Sequence, residues 1–277
     1  MPTSKLVILG IVALGAVGVT LNGYFKSPWQ AQADSGRDRA ELNKLGYLSP
    51  KELPNSMKLL PPPPEPGSEA QRRDEVAREA ALPLKGTARY ALAAADAVRT
   101  HENTVKRFQC AFGTDISMQR TPALYQLLSR VRLDVRAASY PAKQHFARPR
   151  PFVVHNARTC YSDDEEMVHD DGSYPSARGA VGWAYALVLA ELRPDRAEVI
   201  LKRGRDFGES RIVCDQEWQS DVDAGRTVAT VTVSRLESNE WYRADLASAR
   251  KEVAAEIAAG AKPSANCGME VAALAQR

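Results

Sequence analysis

The stretch PSARGAVGWAYALVLAELR, residues 175–193, decides the fold of this chain. Pro175 and Ser176 form a turn that opens a helix, with Ser176 in the position where a short hydroxyl side chain caps free backbone N–H groups. From Ala180 to Ala190 every residue is apolar or aromatic. A helix that is apolar on all sides has no face to give to water, so it must be surrounded by other elements. The run is well short of the roughly 20 apolar residues that a membrane crossing needs, so it reads as a buried core helix. Arg178, two residues after the cap, stands against this pattern. A cation at the mouth of a core helix requires a polar partner.

The segments around it are helical by pattern. EAQRRDEVAREAAL, TARYALAAADAVRTHE and PALYQLLSRVRLDVRAAS place apolar residues at three-to-four spacing, and Pro122 stands where a first turn accepts proline. DRAEVILKRGRDFGESRIVCD, DVDAGRTVATVTVSRLES and NEWYRADLASARKEVAAEIAAG follow the core helix. TVATVTV is rich in β-branched residues but lacks an alternating polar face, so it is assigned to a helix. No internal repeat is present. The expected fold is all-α: a single compact multi-helix bundle domain over residues 69–277.

Residues 1–33 have a different character. Lys5 precedes an uncharged apolar stretch, and Ala31-Gln32-Ala33 offers a small-residue cleavage site, the pattern of a secretory signal peptide. An uncleaved membrane anchor is the alternative. Residues 34–68 contain four consecutive prolines, Pro61 to Pro64, which no helix interior tolerates. They are expected to form an extended N-terminal arm lying on the body, or a bare linker. The formal net charge of the whole chain is +3. The signal holds two lysines and no acid, so the mature chain is nearly neutral, with no clustered charge of the kind nucleic acid requires. The cysteines are Cys110, Cys160, Cys214 and Cys267. An even number in an exported chain suggests two disulfides, and of the three pairings the sequential one, Cys110–Cys160 with Cys214–Cys267, is the expectation. No spacing suits a metal site.

Three short segments carry chemistry. KQHFARPRP holds Lys143, then Arg150-Pro151. PSAR holds Ser176 and Arg178. SRIVCDQEWQSD holds Ser210-Arg211, Glu217 and Asp221. Lys143, Arg150 and Arg211 are cations flanking a helix N-terminus, whose free N–H groups and dipole favour anions. Guanidinium forks match phosphate oxygens in pairs. Each piece alone is commonplace; together they could line an oxyanion pocket.

Their spacing resembles the three-part signature K-x6-RP, PSGH, SR-x5-H-x3-D of the type 2 phosphatidic-acid-phosphatase superfamily, which includes the vanadium haloperoxidases. YLSPKELPNSMKLLPPPPEPGSE, LKGTARYALAAADA, TPALYQLL and KRGRDFGESR resemble one branch, the bacterial class A non-specific acid phosphatases. The resemblance covers nearly the whole mature chain. It implies an all-α core, export to the periplasm, a site without metal or cofactor, phosphate monoesters as ligands and a homo-oligomeric state. It also implies Lys143, Arg150, Ser176, Arg211 and the backbone N–H of Ala177 as phosphate ligands, with Asp221 orienting the nucleophile. Two positions depart from the signature. Arg178 stands where the leaving-group acid is a histidine, and Glu217 where the nucleophile is a histidine. The chain's histidines, His101, His145, His155 and His169, fall at neither position.

Arginine stays protonated and cannot serve as a general acid. Glu217 beside Asp221 needs a cation, and Arg178 is the expected one; Asp215 adds a further negative charge nearby. The favoured reading is a pseudophosphatase that retains the phosphate cradle. An active phosphomonoesterase or phosphotransferase with Glu217 as nucleophile, through an acyl-phosphate, is the alternative. A periplasmic interaction protein with a protein partner is the second. Haloperoxidase chemistry fits poorly, because the expected metal-binding histidine is absent.

Overall fold

A computed structural model describes residues 46–276. The signal peptide expected at 1–33, and the first part of the arm, lie outside them. The described chain is a bundle of helices: α1 (Ser56–Leu59), α2 (Glu69–Ala81), α3 (Ala88–Ala97), α4 (His101–Lys106), α5 (Gln109–Phe112), α6 (Pro122–Phe146), α7 (Pro151–Val154), α8 (Glu165–His169), α9 (Ala177–Leu192), α10 (Ala197–Val213), α11 (Gln219–Glu237), α12 (Glu240–Ala258) and α13 (Cys267–Leu274). No strand occurs among the described residues, so the fold is all-α as expected. TVATVTV lies inside α11. None of the described helices is long and apolar enough to cross a membrane.

The stretch quoted at the outset forms α9, and it is the central helix. It packs against α6, α10 and α11, with Ala180, Ala184, Tyr185, Ala186, Val188 and Leu189 fully buried. Glycine lets its neighbours come close. A Cβ on Gly182 would lie 2.2 Å from the Phe207 ring of α10. One on Gly225 of α11 would lie 2.4 Å from the Ser176 carbonyl oxygen, so α11 can approach the α9 cap only because this position carries no side chain.

Helix α6 is longer than its apolar pattern suggests. It runs through Pro141 and carries Lys143 in its last turns. Proline disrupts the backbone ladder here, and the Ser56 hydroxyl accepts the Ala142 N–H at 3.0 Å. Helix α1 thus satisfies a donor of α6 at the one point where that helix is weakest.

Two expectations fail. The disulfides are Cys110–Cys267 and Cys160–Cys214, not the sequential pairs. The C-terminal helix α13 docks beside α3 and returns Cys267 to α5, while the loop carrying Cys160 lies against the end of α10, where Cys160 N–H donates to Cys214 O. Nor is the N-terminal segment wholly extended: α1 is a helical turn within it. Pro61–Glu65 carry no helix, and Pro61 O accepts the Tyr174 hydroxyl at 2.8 Å, which ties the prolines to the loop before α9.

Candidate functional site

The three charged segments converge. Lys143 comes from the end of α6, Arg150 caps α7, Ser176 caps α9, Arg211 ends α10, and Glu217 lies in the turn before α11. All five are buried, with Glu217 only 3% exposed. The turn from Arg211 to Glu217 is closed on itself, since Gln216 and Glu217 both donate their N–H groups to Arg211 O. That closure aims the Glu217 carboxylate inward.

At the centre is Glu217. Ser176 Oγ donates to its Oε2 at 2.5 Å, Arg211 Nε donates to Oε2 at 3.2 Å, and Arg150 Nη1 donates to Oε1 at 3.3 Å. Burial alone would raise the carboxyl pKa. Arg211, Arg150 and Lys143, with the Ser176 hydrogen bond, outweigh that and hold it at about 2. Ser176 also accepts from Gly179 N–H at 2.8 Å, so one hydroxyl both caps α9 and holds the carboxylate. Ala177 opens α9, and its N–H has no hydrogen-bond partner among the described residues.

The other arms of the cations bind backbone. Arg150 donates to Val168 O, Asp171 O, Gly172 O and Gln216 O at 2.9–3.2 Å, and to Asp171 Oδ2 at 3.3 Å. Lys143 Nζ donates to Gly172 O. Burial and the nearby Arg150 pull the Lys143 pKa down to about 8, so it is still mostly protonated at neutral pH. Two groups adjoining this site have no hydrogen-bond partner among the described residues: the fully buried Gln216 side-chain amide and the Ser173 hydroxyl.

The expected Arg178–Glu217 pair does not form. Arg178 turns away from the cradle to the C-terminal end of α3. Its guanidinium donates to Asp96 O at 2.8 and 3.2 Å, to Val98 O, and to Thr104 Oγ1 at 2.8 Å, and it lies over the Phe207 ring. A long side chain on the first turn of a helix points back along the axis. In α9 that direction leads to the orphan carbonyls where α3 ends, which a cation caps favourably. Burial, with Arg211 adding to it, lowers the Arg178 pKa to about 9, which leaves it charged at neutral pH.

Asp221 and Glu217 do not share a partner either. Asp221 Oδ1 accepts from Arg148 Nη1 at 2.7 Å, and Oδ2 from Trp218 N–H at 2.8 Å. Burial raises its pKa to about 6, against the pull of Arg148. Arg148 bridges onward to Asp74 Oδ2 at 2.7 Å. The sequence reading passed over Arg148, although it stands one proline before Arg150-Pro151; the motif anchored on the second Arg-Pro pair and left the first without a role. Asp215, expected to load the site with negative charge, is instead held by Arg78 at 2.7 and 3.0 Å.

A helical bundle thus encloses a buried set of cations around one carboxylate, that of Glu217. The chain is 39% identical over 220 residues to a non-specific acid phosphatase of Providencia stuartii, covering 79% of this chain and 89% of that one. It is 40% identical over 208 residues to a non-specific acid phosphatase of Salmonella typhimurium, covering 75% and 83%. It is 39% identical over 194 residues to an acid phosphatase of Zymomonas mobilis, covering 70% and 74%. No protein-family model matches the chain. The chain belongs to the non-specific acid phosphatase family.

Proposed function

We propose that this chain is an exported, periplasmic member of the family that keeps the phosphate cradle but does not hydrolyse generic phosphate monoesters. In this reading Lys143, Arg150, Ser176, Ala177 and Arg211 are the anion ligands, Arg178 and Glu217 occupy the positions of acid and nucleophile, and Asp221 occupies that of the orienting residue. One observation carries it. The Glu217 carboxylate occupies the cradle, bonded to Arg150, Arg211 and Ser176. It takes the contacts that phosphate oxygens would otherwise make.

Phosphoryl transfer in such a site needs a nucleophile free to attack phosphorus and a proton donor for the leaving group. Both Glu217 oxygens are engaged, and a carboxylate with its pKa held at about 2 is a weak nucleophile. Arg178 stays protonated and faces α3. The histidines are engaged elsewhere or exposed. Half-buried His101 bridges the Tyr185 hydroxyl and Tyr125 O, and desolvation lowers its pKa to about 4. His155 meets Glu75 and His169 meets Asp170, while His145 lies on the exposed end of α6. An acyl-phosphate through Glu217 would first require Arg150, Arg211 and Ser176 to release it. Two disulfides suit an oxidising compartment. The ligand is then phosphate or a phosphate ester able to displace the carboxylate.

The test is hydrolysis of p-nitrophenyl phosphate by the mature chain beside an Arg178→His, Glu217→His double variant. The parent is expected to be silent. The variant is expected to gain activity by at least 10²-fold, the scale of paired acid–base and nucleophilic help. Rapid turnover by the parent would overturn the proposal.

A further inference from the structure

The cradle adjoins a cavity of about 540 Å³, lined among others by Arg99, Arg136, Tyr140, Tyr161 and Asp171. Asp171 connects it to the cradle: it lies on the cavity wall and accepts from Arg150. The volume falls in the range of small-molecule sites.

The charge of this cavity is unusual. Arg136 makes no hydrogen bond or ion pair among the described residues, and Arg132, one turn away on α6, donates to a backbone carbonyl, Arg99 O. Burial lowers the Arg132 pKa, and Arg136 and Arg99 lower it further. Arg99 is also close enough to depress Arg211, the cradle cation that holds Glu217. Arg99 and Arg136 on the wall, with Arg132 beside them, therefore give the cavity a positive character that extends toward Arg211. Asp171, the carboxylate on the cavity wall, is paired with Arg150. Tyr140, 43% exposed, and Tyr161 add aromatic side chains to the wall.

A simple phosphate entering the cradle competes with Glu217, a tethered carboxylate at high effective concentration. A ligand with a second anion, reaching Arg136, gains a contact that Glu217 cannot supply. We propose that the cavity is a second anion subsite, so that the preferred ligand is a ring-bearing organic bisphosphate rather than a simple monoester. This deepens the cradle reading above and rests on it.

The test is calorimetric titration of the full mature chain, at physiological salt, with adenosine 3′,5′-bisphosphate and with adenosine 5′-monophosphate. The bisphosphate is expected to bind at least tenfold tighter, about 1.4 kcal/mol. In Arg136→Gln the ratio is expected to fall below about threefold, with the melting temperature unchanged. In Arg243→Gln, an exposed position on α12, it is expected to persist, which separates a local contact from bulk charge. A ratio near one in the parent, no binding of either nucleotide, or a ratio unchanged in Arg136→Gln would overturn the subsite. Turnover of p-nitrophenyl phosphate by the parent would instead overturn the pseudophosphatase reading, and the ratio would still decide the subsite.

Discussion

The two ends of the α9 cap handle a buried charge in opposite ways. On one side, Glu217 is a carboxylate neutralised by side-chain cations, Arg150 and Arg211, with Ser176 as an added donor. On the other, Arg178 is a cation satisfied by dipoles, the carbonyls of Asp96 and Val98 and the hydroxyl of Thr104. In sequence the two residues look like halves of one salt bridge. In space each belongs to a separate shell. Complementary sign is weak grounds for contact when both residues have nearer partners, because a buried charge takes whichever polar groups cost least to desolvate beside it.

That contrast can be tested by removing each charge in turn. Glu217→Ala leaves buried cations facing one another without an anion. It should cost about 3–5 kcal/mol in phosphate-free buffer, and added phosphate should restore most of the melting temperature. Absence of rescue would mean that the cradle does not accept phosphate even when vacated.

The acid limb of the stability curve offers a second test. Glu217 has its folded pKa lowered from 4.5 to about 2. Its contribution is therefore fully present above about pH 4.5 and lost as pH falls toward 2, an effect of about 3 kcal/mol. Asp221, raised to about 6 by burial, acts the other way: the folded state binds its proton more tightly, so its contribution falls as pH rises from 3.8 to 6. Glu217→Gln should flatten the limb below pH 4.5, while the Asp221 slope persists but moves to lower pH, since the Glu217 charge helps to raise the Asp221 pKa. Denaturant titrations across this range would show an unchanged acid limb if the carboxylate were not held as described.

Arg178→Ala should cost about 2–3 kcal/mol through lost charge-assisted hydrogen bonds and an uncapped α3. Here phosphate should give no rescue, because the lost partners are carbonyls outside the cradle. A phosphate-dependent melting shift in this variant matching that of Glu217→Ala would merge the two shells that the structure separates. The smallest effect is expected for Ser176→Ala, about 1–2 kcal/mol, from the lost Gly179 cap and the hydrogen bond to Glu217. Thermal melting of this variant beside Thr87→Ala, which removes the N-cap of α3 where Thr87 Oγ1 accepts from Tyr90 N–H, would measure the share due to Glu217.

Much of the fold was legible because periodicity is a local property. The all-apolar run of α9 could only be central, and TVATVTV joined α11 because its flanks continue the helical pattern. The motif spacing likewise brought Lys143, Arg150, Ser176, Arg211 and Glu217 together. Arg148 was missed because nothing in a second Arg-Pro pair says that it will span Asp74 and Asp221.

By itself, the sequence determined the helical architecture, the family and the composition of the cradle. These follow from residue types at fixed spacing along one chain. Only the tertiary structure decided that Glu217 would lie inside the cradle, that Arg178 would face the end of α3, and that Cys267 would return to Cys110 rather than pair with its neighbour in sequence. Those outcomes depend on which distant segments are packed beside one another. Desolvation and hydrogen-bond geometry at the contact choose the partner there, and a linear order of residues carries no record of either.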